Sequence, residues 1–175
     1  DIIFFYGGIL GYAQGLEIII EAAKELEKTN AQFIIQGAGR EKQKLLDLHK
    51  KYNLKNVLFL DPVKKPEMPG ILKSIDIALV PLKNLDLFKG AIPSKIFEAL
   101  AMKKPLLLGV DGEARSHFIE KANAGLFYTP EDVESLKEQV LYFLENPDET
   151  KKMGERARNY VAKVFDRNKI AEGLY

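Results

Sequence analysis

The sequence predicts an α/β fold: a doubly wound, mainly parallel six-stranded sheet with helices on both faces. Three observations carry that expectation. Apolar runs of strand length alternate with segments whose apolar residues recur at helical spacing. The glycines concentrate just after the strand-length runs, where open α/β sheets place their ligands. A chain of 175 residues with 46% apolar content can bury one core, so a single domain is expected.

The first strand is Ile2 to Tyr6, β-branched and aromatic throughout, which suits burial on both faces; Gly7 and Gly8 stop it. A helix from Gly15 to Lys28 follows, with Leu16, Ile19, Ile20, Ala23 and Leu26 on one face and charges on the other. The alternation repeats as strand Gln32 to Gln36, helix Glu41 to Tyr52, strand Val57 to Leu60, a short helix near Glu67 to Ser74, and strand Ile77 to Val80. Pro93 is expected to open a helix through Met102. Strands Leu106 to Leu108 and Gly125 to Tyr128 come next, and helices Val133 to Asn146 and Glu149 to Val164 close the chain. Such an order implies right-handed βαβ crossovers. The domain is placed at residues 1–165; residues 166–175 have little core pattern and are expected to pack on something outside this chain.

Lys and Arg total 26 against 25 Asp and Glu, so the formal charge is +1 and no basic field exists to track a nucleic acid. The absence of cysteine excludes disulfides, zinc-thiolate sites and a thiol nucleophile, and fits a reducing compartment. The only histidines, His49 and His117, match no zinc spacing, so no metal site is expected. No apolar run is long enough to span a bilayer. The chain starts at Asp1 with neither signal peptide nor initiator Met, as if excised from something longer.

Five segments could carry chemistry. In Gly7 to Gly15 the glycines would let backbone approach a ligand, and the following helix end favours an anion; a plain strand-to-helix turn stands level with that reading. Gly37-Ala38-Gly39-Arg40, with Asp61 ending the next strand, imitates a dinucleotide fingerprint, but Lys42 replaces its third glycine and an ordinary tight turn is the alternative. Leu60-Asp61-Pro62-Val63 ends a strand with backbone groups free to meet a base; Asp61 as a phospho-acceptor would need an acidic pair where Tyr6-Gly7-Gly8 stands.

The fourth segment, Phe88 to Ala101, is the most informative. The N–H groups of Ser94 and Lys95 would present a partly positive helix end to a diphosphate. Glu98, on the face of Ser94, could then accept two hydrogen bonds from a ribose diol, although chemistry alone favours a simple pairing of Glu98 with Lys95. The fifth, Gly109 to Ala114, offers Asp111 and Glu113 to sugar hydroxyls, and reads more plainly as a solvated turn with Glu113 in the first turn of a helix.

Taken in order, Gln14-Gly15-Leu16-Glu17 after a glycine turn, Gly37-Ala38-Gly39, Val57 to Leu60 with Val63, Ile75 to Pro81, and Pro93 to Ala101 resemble the carboxyl-terminal domain of retaining GT-B glycosyltransferases of the GT4 family, across nearly the whole chain. Gly8 to Glu17 and Ile92 to Ala101 look especially like bacterial enzymes that build surface polysaccharides from nucleotide-activated, often N-acetylated, sugars. The resemblance implies a Rossmann-like sheet forming half of a GT-B fold. It implies that Glu98 holds the nucleotide ribose, that backbone around Val63 meets the base, and that Gly8, Gly37, Gly39, Ser94 and Lys95 complete the nucleotide site. Gly11, Gln14, Arg40, Lys89, Ile92 and Pro93 become candidates for the diphosphate, and Gly90 and Glu113 for the sugar or acceptor side. There are two departures. Ile9 and Gln14 stand where many relatives carry an Arg and a Lys for the diphosphate, leaving Lys95, Lys89 and Arg40 to supply the charge. Gly90 stands where many relatives place a sugar-contacting Glu.

The implied function is sugar transfer, with retention of configuration, from a nucleotide-diphosphate sugar to a glycan or lipid-linked acceptor in polysaccharide biosynthesis. A UDP-sugar is the favoured donor, without cofactor or metal. The resemblance places an acceptor domain before Asp1, with most catalytic residues in it, so this fragment alone is expected to be inactive. The full-length protein would be cytoplasmic, or peripheral at the inner face of the membrane. A GT-B sugar-nucleotide epimerase domain and a nonenzymatic nucleotide-binding module are the alternatives.

Overall fold

Strand β1 (Ile2–Gly7) lies at the centre of the sheet, and its apolar run is buried because layers cover it on both sides: Phe4, Phe5 and Tyr6 are each at most 3% exposed. The computed structural model describes residues 1–164, so the tail placed at 166–175 lies outside the described residues. The other strands are β2 (Ala31–Gln36), β3 (Val57–Leu60), β4 (Ile77–Pro81), β5 (Leu106–Gly109) and β6 (Gly125–Phe127). The helices are α1 (Glu17–Glu25), α2 (Lys42–Tyr52), α3 (Met68–Ser74), α4 (Lys95–Ala101), α5 (Glu113–Arg115), α6 (Val133–Glu145) and α7 (Pro147–Val164).

The six strands run in the order β3-β2-β1-β4-β5-β6, and every pairing among them is parallel. Side chains alternate between the layers as a pleated strand requires. Phe4, Phe33, Ile35, Ile77 and Leu79 pack with Ile19 and Ile20 of α1, Leu45 of α2 and Val140 of α6. On the opposite face Ala78, Val80, Leu106 and Leu108 meet Ile96 and Leu100 of α4 and Ala157 and Val161 of α7, while Phe5 packs on Leu72 of α3. Each large apolar side chain so buried stabilises the fold by about 1.5–3 kcal/mol.

Some boundaries differ from the expected ones for local reasons. The first helix starts at Glu17 and not at Gly15, because Tyr12–Gln14 form a separate 3₁₀ turn that Gly15 closes at φ 58°, a left-handed conformation suited to glycine. Pro93 is not the first helical residue. Ile96 N–H bonds to the Pro93 carbonyl and Phe97 N–H to that of Ser94, so a tight turn precedes α4 and the helix opens at Lys95. Helix α5 opens at Glu113, the residue expected in the first turn of a helix, and continues into a wider π-type turn, Ser116–Lys121.

The strand order reverses direction between β1 and β4. In such sheets the crossovers on either side of the reversal leave a crevice beyond the carboxyl ends of the two strands.

Candidate functional site

A cleft of about 560 Å³ occupies that crevice. Gly7, Gly8, Ile9 and Gln14 reach it from the loop after β1, Gln36 and Gly37 from the end of β2, Pro62 and Val63 from the segment after β3, and Ser94, Lys95 and Glu98 from α4 and its preceding turn. A second cavity of about 300 Å³ is lined by Ile92 and Pro93 and shares Gln14 and Lys95 with the first.

The glycine loops are held against each other. Gly8 N–H donates to the Gln36 carbonyl at 3.0 Å, Leu10 N–H to Ala38 at 2.9 Å, and Glu41 N–H to Leu10 at 2.9 Å. A Cβ on Gly37 would lie 1.8 Å from the Gly8 carbonyl oxygen, and one on Gly39 would lie 2.3 Å from that of Leu10. The Gly37-x-Gly39 pattern is therefore required by the approach of two loops. The loop after β1 is anchored further by Tyr6, whose hydroxyl donates to the Ile9 carbonyl at 2.6 Å. Burial raises the pKa of that hydroxyl, so it stays a donor.

Lys95 and Glu98 supply opposite charges without pairing. The Lys95 ammonium lies 4.0 Å from the centre of the Tyr6 ring, and it packs on Gly8 so closely that a Cβ there would come within 2.7 Å of Nζ. Burial pulls the Lys95 pKa down to about 8, with Glu98 pushing the other way. Among the described residues, neither Lys95 nor Glu98 has a hydrogen-bond or ion-pair partner, so the Lys95–Glu98 pair that chemistry alone favoured is not formed. Glu98 is exposed to the cleft while Lys95 is half-buried in it. A cation and a carboxylate standing one helical turn apart, neither in an ion pair, suit a ligand that is anionic at one end and rich in hydroxyls beside it.

The remaining candidate residues divide by position. Gly11 lies behind Gln14, where a Cβ would meet Gln14 Oε1 at 3.0 Å. Ile9 stands at the rim, 69% exposed. Arg40 is exposed and does not line the cleft. Lys89 is ion-paired with Asp86 at 3.1 Å and borders a separate small depression with Asp111. Gly90 has open space where a side chain would be. Glu113 is exposed outside the cleft, and its backbone N–H donates to the Lys89 carbonyl at 2.8 Å. Asp111 accepts from Gly112 N–H at 2.8 Å and lies 3.4 Å from Arg115, while Asp61 pairs with Lys42 at 3.2 Å. Sequence reasoning missed Lys65, Met68 and Gln36 as lining residues. A signal for Gln36 existed, since it is a polar residue closing an otherwise buried strand at the end where ligands bind.

The family model of glycosyl transferases group 1 matches residues 1–160. The chain is 28% identical over 170 residues to the protein of Escherichia coli (strain K12) named as a colanic acid biosynthesis glycosyl transferase, WcaI, covering 96% of this chain and 40% of that protein. Among solved structures, a mutant of Staphylococcus aureus TarM, in complex with fondaparinux, α-GlcNAc-glycerol and UDP, superposes with a TM-score of 0.83 at 19% identity, over 98% of this chain and 34% of that one. Anabaena HepE in complex with UDP and glucose gives 0.82 at 19% identity, over 99% and 48%. The C-terminal domain of the group 1 glycosyl transferase LpcC from Francisella tularensis gives 0.78 at 17% identity, over 94% and 86%. The chain thus spans well under half of WcaI and about the length of one excised domain. With a Rossmann-like sheet matching GT-B glycosyltransferase domains and a family model covering nearly all of its length, the chain belongs to the group 1 glycosyl transferases.

Proposed function

We propose that this chain is the donor-binding domain of a retaining GT4 glycosyltransferase that moves a sugar from a nucleotide diphosphate, UDP foremost, to a glycan or lipid-linked acceptor. The observation that carries the proposal is the pair Lys95 and Glu98 at the topological switch point, neither side chain in an ion pair or hydrogen bond among the described residues. Glu98 takes the ribose diol through its two carboxylate oxygens. Lys95 and the backbone of Gly8 take the diphosphate, and backbone near Val63 takes the base. The presence of UDP in the TarM and HepE structures supports the choice of nucleotide for a domain of this fold.

The contribution to catalysis is electrostatic. As the bond from the sugar to the diphosphate breaks, negative charge grows on the leaving oxygen. A cation already held in place in a partly desolvated cleft stabilises that charge without reorganising. Lys95 has this property because the Tyr6 ring and Gly8 hold it in the absence of ligand.

The acceptor and most catalytic groups are assigned to a further domain, a reading supported by the 40% of WcaI that the chain spans. By the same reading the whole protein works in bacterial polysaccharide synthesis in the cytoplasm, peripheral to the inner face of the membrane where the acceptor is lipid-linked. Titration calorimetry with UDP, GDP and ADP tests the donor role, and the absence of saturable binding at millimolar nucleotide removes it. Product stereochemistry by NMR on the full-length protein tests retention.

A further inference from the structure

Gln36 closes β2 at the edge of the cleft and is only 4% exposed, yet its side chain makes no hydrogen bond among the described residues. Its Oε1 is shut off from solvent without a donor, which leaves Nε2 as the atom that the cleft can reach. Such a group is uncommon, because buried side-chain amides almost always find partners. Asn56 in the same layer also has its Oδ1 buried without a donor, but its Nδ2 donates to the Ala23 carbonyl at 2.9 Å, whereas Gln36 Nε2 has no acceptor among the described residues. The buried Oε1 stays unpartnered either way; a Gln36 Nε2 without an acceptor at the wall of a ligand cleft is the arrangement expected where the missing acceptor belongs to the ligand.

Its place in the sheet says which part of the ligand. Gln36 pairs in register with Gly7 of β1 on one side and with Leu60 of β3 on the other. Lys95 and Glu98 enter from α4, beyond β4 and on the far side of β1. With phosphate at Lys95 and ribose at Glu98, the rest of a nucleotide extends across β1 towards β2 and the Pro62-Val63 wall. Gly7 carries no side chain to block that path. We propose that Gln36 reads the nucleobase of the donor, with Nε2–H donating to a carbonyl of uracil; this rests on the cleft being a nucleotide site.

The test compares the wild-type chain with Gln36→Met, close to it in length, and with Gln36→Leu, by calorimetry with UDP and by competition with pyrophosphate, which has no base. UDP binding should weaken about 10-fold, the loss of one hydrogen bond of about 1.4 kcal/mol, with pyrophosphate affinity unchanged. The melting temperature should stay level or rise, because an unpaired polar group has been removed from a buried site. Unchanged UDP affinity in a folded variant overturns the assignment, and so does an equal weakening of pyrophosphate. A wild-type chain that binds no nucleotide overturns the underlying reading as well, so the two failures are told apart by the wild-type titration. If Gln36→Met does not fold, Gln36→Leu is read in its place; loss of folding in both marks Gln36 as structural and overturns the proposal.

Discussion

The ammonium of Lys95 stands 4.0 Å from the centre of the Tyr6 ring, and no carboxylate among the described residues pairs with it. Tyr6 also anchors the glycine loop through the Ile9 carbonyl, so the cation is fixed to that loop from another element. That loop, Gly7 to Gly15, carries no charged residue of its own, with Ile9 and Gln14 among its members. Lys95 thus brings to the loop a positive charge that its own sequence lacks.

Lys95→Met should therefore lower UDP affinity by about 10- to 100-fold, since hydrogen bonds to charged groups contribute about 1.5–3 kcal/mol. The variant should remain folded, because no ion pair is lost. Calorimetry paired with a thermal melt checks both parts.

The pH dependence follows from the lowered pKa of Lys95, about 8. Burial disfavours its charged form, so the side chain is an ammonium below that value and neutral above it. UDP affinity should fall as pH rises through about 8 in the wild type, and much less in Lys95→Met. Stability without nucleotide moves the other way. Between the folded value and the ordinary lysine value of about 10.4 the unfolded chain binds more protons, so this residue makes stability rise with pH. Denaturation midpoints from pH 7.5 to 9.5 should show that rise in the wild type relative to Lys95→Met.

Glu98→Ala should weaken UDP by about 10- to 100-fold through loss of charge-assisted hydrogen bonds to the ribose. A 2′,3′-dideoxy analogue should bind both proteins equally. If full UDP affinity survives in a folded Glu98→Ala protein, Glu98 is not the ribose contact.

Gly37→Ala places a methyl group 1.8 Å from the Gly8 carbonyl oxygen, and the two loops must separate to admit it. A destabilisation of about 1–3 kcal/mol is expected in urea denaturation, with loss of nucleotide affinity. Gly90→Ala, with nothing within 4 Å of the new atom, should change stability by less than about 0.5 kcal/mol.

Much of this arrangement was legible in the sequence, because burial on two faces leaves a plain record. The run Ile2 to Tyr6 is apolar at every position, as β1 requires between two layers, and alternation with helical spacing located the other strands to within a residue or so. The cleft was legible as a place, since glycines mark the strand ends, and Gly8, Gln14, Gly37, Val63, Ser94, Lys95 and Glu98 do line it. Properties set by contacts between distant segments were not legible. Whether Lys95 pairs with Glu98 or lies over Tyr6 depends on how α4 docks against β1, and no local spacing encodes that. The isolation of the Gln36 amide is likewise a fact about its neighbours. The start of α4 differs from expectation because a proline at the first helical position and one at a preceding tight turn leave the same mark in sequence.

Titration of UDP into the wild-type chain tests the central claim most directly. One saturable site with a Kd between about 1 μM and 1 mM, competed by pyrophosphate, is the predicted result. No heat of binding and no competition up to about ten times that upper limit, in a chain shown to be folded by its melting transition, would contradict the assignment of this cleft to a nucleotide-diphosphate donor.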